Sequence, residues 1–514
     1  MTAHEKNLPP AHLDVTVAIV GTGFSGLGMA IKLKEAGIHD FVVIERGANV
    51  GGTWRDNHYP GAACDVPSHL YSFSFEPKTD WSRAFAQQPE IRAYLEHCAD
   101  KYDIRRHILF NTTVVGAEFD EAKGVWHGRA SNGSTLTAKY IVAGIGALSN
   151  PAIPKLKGIE KFQGAAFHSA TWNHDFDLSG KKVVVIGTGA SAIQFVPAIQ
   201  PKVGKLTLMQ RTAPWVLAKP DYEFSDTAKG AFARLPLTRE LYRAFLYARN
   251  ESQLLAFSIN PKLMTLAKQM GLHNIRKAIK DEKLRAAVTP DYLPGCKRIL
   301  LSNDYYPALA QPNVDVLNTG VKEVRANSVI TSDGTEVECD AIIYGTGFTV
   351  HDYLGGMKIT NRKGQDVGAQ WKDGAEAYNG TVVAGCPNMF MLMGPNTGLG
   401  HNSMVYMIES QIRYAVQGIQ YGLKHNLASL DVRRGVQARF NAKLQDRLHK
   451  AVWETGGCNS WYLNDSGKNS TLWPGFTFEF RARTWFFNPN DFVMVKQGSK
   501  TAEKRSFLSR VGVA

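Results

Sequence analysis

Residues 15–26 of the chain are VTVAIVGTGFSG. The first six are an apolar, β-branched run of strand length, and Gly21, Gly23 and Gly26 follow it in the spacing GxGxxG. A helical pattern (LGMAIKLKEAG) and a second strand, FVVIE, complete the unit and end in Glu45. In such a unit the first glycine permits the tight turn, the second lets the backbone approach a pyrophosphate, and the third allows close packing of helix on strand. The stretch therefore predicts a parallel α/β dinucleotide-binding domain in which Glu45 accepts hydrogen bonds from a ribose diol.

A second unit of the same design follows later in the chain. The strand KKVVVIG leads into Gly187, Thr188, Gly189, Ala190, Ser191 and Ala192, and then into the helical stretch IQFVPAI. Its next strand, KLTLMQR, ends in Gln210, Arg211 and Thr212 rather than in an acid. A carboxylate there would repel a 2′-phosphate, whereas a guanidinium can pair with it through two hydrogen bonds. We therefore expect NADPH at this site, and at the first site a cofactor whose ribose diol is free.

The order of these units indicates how the domains are arranged. Two strand-to-glycine segments, 139–154 and 339–348, are typical of chain crossings between domains. The predicted fold class is α/β, with two Rossmann-like dinucleotide-binding domains, the NADPH domain inserted in the first, and a helical subdomain. The predicted segments are 1–150 and 349–514 for the first domain, 151–221 and 291–348 for the inserted domain, and 222–290 for the helical subdomain. An amphipathic membrane-binding segment is the weaker interpretation of 222–290, because acidic residues are mixed with the basic ones.

Composition narrows the class of protein. Of the 514 residues, 44% are hydrophobic and 20% are charged, as in a globular enzyme. No run approaches the roughly 18 apolar residues of a membrane span, and residues 1–14 lack the apolar region of a secretory signal. The net charge of +13 fits either an anionic polymer or membrane, or a basic surface that binds only cofactor phosphates. Without a long Lys/Arg tract we favour the second interpretation, with no nucleic-acid partner, no integral membrane contact and a cytoplasmic location.

The cysteines and histidines indicate neither a disulfide framework nor a metal site. The cysteines form no CxxC pair, and the histidines form no HExxH or HxH group. This pattern predicts reduced thiols, no thiol–disulfide exchange and no bound metal. The six cysteines are Cys64, Cys98, Cys296, Cys339, Cys386 and Cys458.

A third motif lies between the two glycine motifs. Phe162, Gly164, His168 and Trp172 stand in the spacing FxGxxxHxxxW. This resembles the signature of the type I Baeyer–Villiger monooxygenases, a family of class B flavoprotein monooxygenases, although Asn173 stands where Pro or Asp is usual. Related flavin-containing and N-hydroxylating monooxygenases usually have Tyr or Phe in place of this Trp. The resemblance implies that His168 organises the linker between the domains, so we do not expect it to be a catalytic base.

Two further stretches extend the resemblance over nearly the whole chain. Residues 51–65, GGTWRDNHYPGAACD, match a loop beside the flavin in that family, and residues 295–309, GCKRILLSNDYYPAL, match its Lys-Arg pair. The family pattern gives the Lys to the 2′-phosphate of NADPH and the Arg to the flavin. It also implies that the helix opened by MGPNTGLGHNSM, residues 393–404, begins at the flavin. FAD binding is thus assigned to Gly21, Gly23, Phe24, Gly26, Glu45, Thr53, Trp54, Asp65, Tyr71, Val115 and Arg298, and NADPH binding to Gly187, Thr188, Gly189, Ala190, Ser191, Ala192, Gln210, Arg211, Thr212 and Lys297.

The implied activity is an FAD- and NADPH-dependent conversion of ketones and O2 into esters or lactones through a C4a-peroxyflavin, with sulfoxidation as a side activity. Arg298 would supply a fixed positive charge to the peroxide anion and to the oxyanion of its ketone adduct, and Asp65 would hold Arg298 in place. One alternative is a flavin-containing monooxygenase that oxygenates S or N atoms, which needs no such arginine. Another is a flavin reductase or a nucleotide-binding regulator, which would have no use for Asp65, Lys297 and Arg298 together. The motifs do not indicate which ketone is used.

Overall fold

The computed structural model describes residues 11–498. The N-terminal stretch 1–14, in which no secretory signal is expected, lies mostly outside this range. Within the described part, none of the helices has the length and apolar character that crossing a membrane requires.

The strands, numbered in chain order, are short and mostly buried. They are β1 (His12–Val20), β2 (Phe41–Ile44), β3 (Ile108–Leu109), β4 (Val114–Asp120), β5 (Val125–Ala130), β6 (Thr135–Ala143), β7 (Ala165–His168), β8 (Lys182–Ile186), β9 (Lys205–Met209), β10 (Val216–Leu217), β11 (Leu300–Leu301), β12 (Val314–Leu317), β13 (Val321–Val324), β14 (Ser328–Thr331), β15 (Glu336–Glu338), β16 (Ala341–Tyr344), β17 (Lys358–Thr360), β18 (Met389–Met391), β19 (Leu427–Val432) and β20 (Phe492–Lys496).

The α-helices are numbered in the same way. They are α1 (Phe24–Glu35), α2 (Thr53–Asp56), α3 (Gln88–Lys101), α4 (Ala192–Ile199), α5 (Asp226–Arg234), α6 (Pro236–Ser252), α7 (Met264–Ala278), α8 (Glu282–Val288), α9 (Tyr305–Leu309), α10 (Val367–Gln370), α11 (Met404–Lys424), α12 (Arg434–Leu448), α13 (Val452–Thr455) and α14 (Thr477–Arg483).

The first sheet carries the first glycine motif. Its strand order is β17-β4-β5-β6-β1-β2-β3, and β18 pairs with β6. Strand β1 is parallel to both of its neighbours, β2 and β6, while β4, β5 and β6 form antiparallel pairs. Because β1 lies between the strand that follows it and a later strand, the loop at its carboxyl end opens at a topological switch point, where open α/β sheets bind ligands.

The second sheet carries the second glycine motif. Its order is β12-β9-β8-β16-β7, and every pair is parallel. Strand β8 has the same position here, between β9 and β16, that β1 has in the first sheet. The strands of this sheet lie between residues 165 and 344, whereas those of the first sheet come from residues on both sides of that interval. The predicted insertion of one Rossmann-like domain in the other is therefore confirmed, while the boundaries at 150, 221, 290 and 348 stay predictions.

The two chain crossings between the domains run side by side. Pro151 and Phe348 form an antiparallel bridge, and the Ala152 amide donates to the Gly347 carbonyl at 2.9 Å. The Thr349 amide donates to the Asn150 carbonyl at 2.9 Å, on the other side of the bridge. The outgoing and returning linkers thus form one short two-stranded connection.

The predicted helical subdomain is also present. Helices α5, α6, α7 and α8 follow one another from residue 226 to residue 288, with a single π-helical turn at Leu255–Ile259. The inner side of this subdomain contributes Leu254, Phe257 and Met264 to a buried apolar cluster that includes Trp453 of the C-terminal region. The subdomain therefore packs against the part of the chain that follows α12.

Candidate active site

The first glycine loop has the geometry that a diphosphate needs. Gly21 has φ +100°, and a Cβ there would lie 2.7 Å from the Gly144 carbonyl oxygen. A Cβ on Gly26 would collide with the Gly21 carbonyl, which makes glycine necessary at both positions. Helix α1 begins at Phe24 and has no side-chain cap, so the first-turn N–H groups are not taken by a side chain. Uncapped N–H groups at the end of a helix dipole favour an anion.

Glu45 is buried and already has partners within the protein. Its Oε2 accepts from the Thr22 amide at 3.0 Å and from the Thr22 hydroxyl at 2.5 Å, and its Oε1 accepts from Arg55 Nη1 at 2.6 Å. Glu45 therefore fixes the glycine loop as well as standing at the ribose position. Arg55 was not expected from the sequence. Burial lowers its pKa, but its hydrogen bond to Asp56 and the charge of Glu45 outweigh this, so the pKa is raised.

The aromatic residues assigned to the flavin gather beside this loop. Trp54 Nε1 donates to the Tyr71 hydroxyl at 3.2 Å, and the ring of Tyr71 meets Phe24 edge-on with centroids 5.1 Å apart. Thr53 begins α2 directly after Gly51 and Gly52, and a Cβ on Gly52 would lie 2.9 Å from the Cα of Gly23 in the first glycine loop. Val115 lies on β4 with 43% of its surface exposed, and it takes no part in these contacts. The structure thus assembles all of these residues except Val115 around the start of α1.

The second glycine loop repeats the first with one change. Gly187 has φ +101°, and a Cβ there would lie 2.5 Å from the Gly345 carbonyl oxygen. Ala192 takes the place of the third glycine and begins α4, and a Cβ on Gly345 would lie 3.1 Å from the Ala192 Cβ. Thr188 donates to the Thr212 carbonyl at 3.5 Å, which connects the loop to the end of β9. Ala190 and Ser191 complete the turn, and no side chain caps α4. The same open helix N-terminus results.

Three of the residues assigned to the 2′-phosphate lie together at the end of β9. Lys297 Nζ donates to the Thr212 hydroxyl at 2.6 Å. Burial lowers the pKa of Lys297, and the positive charge of nearby Arg211 lowers it further. Two cations held close together beside a hydroxyl form a site that an anion would stabilise. Gln210 differs from the expectation, because its side-chain Nε2 donates to the Ala287 carbonyl at 3.0 Å and to Asn318 at 2.8 Å.

Arg298 and Asp65, the two predicted catalytic residues, form a direct ion pair. Arg298 Nη2 and Nε donate to the same oxygen of Asp65 at 2.6 and 3.0 Å, and Nη1 donates to the Leu399 carbonyl at 3.4 Å. Both side chains stay about one-third exposed, at 30% and 29%. Burial raises the pKa of Asp65, but Arg298 outweighs it and the pKa is lowered; the charge of Asp65 raises the pKa of Arg298. The pair is therefore charged throughout the working pH range.

Two residues that the sequence did not indicate also face this pair. Burial raises the pKa of Tyr462 to about 12, and Arg298 lies close enough to oppose that shift. Lys219 is largely buried near Asp65, and burial lowers its pKa. Both residues come from irregular segments without a motif, so no local pattern distinguishes them. They add a hydroxyl and a second cation beside the Arg298–Asp65 pair.

The residues of the third motif have structural positions. His168 is fully buried, its Nδ1 accepts from the Ala170 amide at 3.0 Å, and its ring meets Phe348 edge-on in the returning linker. A Cβ on Gly164 would collide with the Asp340 carbonyl, and the Phe162 ring covers this glycine. Trp172 is buried in the core of the NADPH domain. These contacts support the expectation that His168 organises the linker.

One expectation about the cysteines is wrong. Cys296 and Cys458 form a disulfide, although they are 162 residues apart. The stretch between α8 and β11 and the C-terminal region bring the two together, and a spacing of that length gives no local signal. The other four cysteines are free and buried. Within residues 11–498, no cluster of three or more metal-ligating side chains occurs.

Comparison with known proteins agrees with this site. Residues 14–360 match the family model described as flavin-binding monooxygenase-like. A Baeyer–Villiger monooxygenase of Pseudomonas aeruginosa is 53% identical over 94% of this chain and 92% of its own length. Another from Streptomyces coelicolor is 48% identical over 98% of this chain and 97% of its own. The chain is a member of the Baeyer–Villiger monooxygenase family.

Solved structures of other monooxygenases have the same fold. An oxidised steroid monooxygenase bound to NADP has a TM-score of 0.85 at 28% identity, covering 94% of this chain and 100% of its own. A closed crystal structure of cyclohexanone monooxygenase has a TM-score of 0.84 at 25% identity, with the same coverage. The arrangement of two dinucleotide-binding domains in this Baeyer–Villiger monooxygenase is therefore shared along nearly the whole chain.

Proposed function

We propose that the protein converts ketones into esters or lactones with FAD, NADPH and O2, by placing a permanently charged arginine where oxygen adds to the carbonyl. The single observation that carries the proposal is the Arg298–Asp65 ion pair. Asp65 follows the flavin-side loop, and Arg298 follows Lys297, which belongs to the NADPH-side cation group. The pair therefore joins the two cofactor sites.

The residues present fit both cofactors. Gly21, Gly26 and Gly187 leave no room for a side chain, and each glycine loop opens onto a helix N-terminus without a side-chain cap. Arg211, Thr212 and Lys297 offer the donors that a 2′-phosphate requires. When bound, NADPH supplies hydride and FAD supplies the electron and oxygen chemistry, while the protein orients and tunes them.

The contribution of the chain to the reaction lies in charge and orientation. Arg298 cannot lose its proton at working pH, so it can stabilise negative charge on the attacking oxygen and on the carbonyl oxygen after addition. Asp65 restricts the guanidinium to one orientation through two hydrogen bonds. Because the pair is two-thirds shielded from water, this electrostatic stabilisation is stronger than it would be in solution.

Product analysis separates this activity from its alternatives. Purified holoenzyme would be reduced anaerobically with NADPH and then mixed with ¹⁸O2 and a panel of ketones, such as phenylacetone, acetophenone and 2-octanone. We expect esters that carry one labelled oxygen. Thioethers in the same panel test the proposed sulfoxidation side activity. An enzyme that oxygenates thioethers and amines but none of the ketones would instead be a flavin-containing monooxygenase.

We also propose a cytoplasmic location, where NADPH is regenerated. The four buried free thiols support it, whereas the Cys296–Cys458 disulfide is a feature more usual outside the cytoplasm. Cell fractionation combined with thiol titration of the freshly isolated enzyme would test the location and the state of this pair together.

A further inference from the structure

The outer face of the helical subdomain is strongly apolar. Between residues 235 and 270, nine large hydrophobic side chains are between 44% and 69% exposed. Leu237, Leu241 and Phe245 recur on successive turns of α6, and Leu263, Leu266 and Met270 do the same at the start of α7. Single exposed hydrophobic residues are ordinary, whereas a stripe repeated on two helices that follow one another in the chain marks an interaction surface.

The same segment is also strongly basic. Residues 229–280 contain ten Lys and Arg but only two acidic residues, Glu240 and Glu251. Glu251 is buried, where it accepts hydrogen bonds from Asn402 and Thr477. Within residues 229–280, the mixture of acids and bases that weakens the membrane interpretation therefore reduces to one exposed carboxylate, Glu240, and the other four acidic residues of 222–290 lie before or after this range.

Several of these cations have no counter-ion within the part of the chain that the structure describes. Arg234, Lys262 and Lys268 make no ion pair with any residue from 11 to 498. Lys268 lies on α7, Lys262 lies in the short turn before α7, and Arg234 ends α5 directly before Leu235. Apolar side chains flanked by unpaired cations are the pattern of helices that lie in a membrane interface.

We propose that this outer face, residues 235–270, docks the enzyme on the surface of a membrane rich in anionic lipids. The apolar side chains would enter the boundary between headgroups and acyl chains, and the basic residues would meet lipid phosphates. A second copy of the chain is the less suitable occupant, because it would bring an equally basic surface against this one.

The docking surface lies on the reverse side of residues that approach the candidate active site. Phe257 and Met264 point inward from the same segment, and each has an atom 3.1 Å from the position of a Cβ on Gly295. Gly295 is two residues before Lys297 and three before Arg298. Docking would therefore bring the catalytic pair close to a phase in which apolar ketones concentrate. The surface itself goes beyond the proposed function and does not depend on it.

Vesicle co-sedimentation of the full-length holoenzyme tests the proposal. One set of vesicles would be phosphatidylcholine alone, and the other would also contain phosphatidylglycerol. We expect about tenfold stronger partitioning onto the anionic vesicles, weakened by added salt. Combining Leu241→Ser with Phe245→Ser should remove most of this binding, as should combining Lys262→Glu with Lys268→Glu. Met494→Ser is the matched control, because Met494 is also exposed but lies on β20.

Three results would overturn the proposal. Wild-type enzyme that stays in the supernatant with both vesicle types would exclude the lipid partner. If the double variant with Leu241→Ser and Phe245→Ser binds vesicles as the wild type does, this face is not the membrane-binding surface. A concentration-dependent dimer that the same two substitutions dissociate would assign the face to a second copy. Oxidation of a water-soluble ketone is measured in parallel, and its absence in an enzyme that binds vesicles counts against the proposed function alone.

Discussion

Arg298 is held to Asp65 through two nitrogens that share one carboxylate oxygen, which leaves Nη1 directed at the Leu399 carbonyl at 3.4 Å. We expect Arg298→Ala to keep FAD, because the first glycine loop is built from other residues. Ester formation should fall by about 10²–10³ or more, the loss typical of one oxyanion partner. The measurement is ester yield per NADPH oxidised, with released H2O2 as the second product.

Arg298→Lys is the matched control for charge. An ammonium keeps the positive charge but lacks the planar group that reaches Asp65 through two nitrogens, so only partial recovery is expected. Near-normal ester yield from the alanine variant would remove Arg298 from the mechanism and leave Lys297 or a backbone donor as the stabiliser.

Arg211 and Lys297 give a prediction about cofactor choice. Arg211→Ala and Lys297→Ala should each raise the KM for NADPH by about tenfold or more, since a charge-assisted hydrogen bond contributes about 1.5–3 kcal/mol. The KM for NADH should change little, because only the 2′-phosphate distinguishes the two cofactors. Equal losses for both would contradict this assignment. Gln210→Ala serves as the contrast, since its side chain bonds to Ala287 and Asn318.

The burial of His69 leads to a prediction of how the free energy of unfolding depends on pH. Its ring is enclosed by Phe224, Phe232 and Tyr242, and burial together with the charge of Arg243 lowers its pKa to about 4. The unfolded chain, with an ordinary histidine pKa of about 6.5, binds the proton first, so stability falls as pH drops from about 6.5 towards 4.

The free energy of unfolding falls by about 1.4 kcal/mol for each pH unit between about 6.5 and 4. His69→Phe should remove this part of the pH dependence in thermal unfolding curves. His39→Asn, at an exposed histidine, should leave the wild-type dependence in place. An unchanged slope in the phenylalanine variant would show that His69 is not the group responsible.

At the scale of elements, the two strand–turn–helix units could be predicted from the sequence and most long-range contacts could not. Strand β8 and helices α1 and α4 begin within a few residues of the expected positions, because glycine spacing and apolar runs are local signals. The orientation of Gln210 depends on Ala287 and Asn318, which are 77 and 108 residues away. Tyr462 and the Cys296–Cys458 pair were missed for the same reason.

The close packing of α1 on β1 gives an element-scale prediction. In Gly26→Ala, the new methyl group would collide with the Gly21 carbonyl, so the start of α1 must shift away from the glycine loop. We expect the purified variant to have lost most of its flavin absorbance. Gly230→Ala in α5 is the matched control, because a Cβ there meets nothing within 4 Å. This control should bind flavin normally, and alanine should favour the helix slightly. A yellow Gly26→Ala protein would mean that the helix can adjust.

For the whole molecule, the family membership and the order of the domains followed from short motifs, but their spatial relation did not. The family resemblance implied that Asp65 in one domain holds Arg298 in the other, 233 residues away, and the folded chain confirms this contact at 2.6 Å. The candidate active site thus forms at the interface between two domains, and each domain can be recognised separately from its own motifs. Composition and periodicity give no geometry for this interface, because no single segment contains both halves of it; only the family resemblance pointed to the pair.

The paired linkers limit how that interface can change. A domain attached by one free strand could swivel in any direction, whereas Pro151 and Phe348 are bridged and flanked by backbone hydrogen bonds on both sides. The two linkers must bend together, so they act as one hinge with a single preferred axis of rotation. Opening and closing would then be described by one angle, so spectroscopic labels at different places on the two domains should report distances that rise and fall in step.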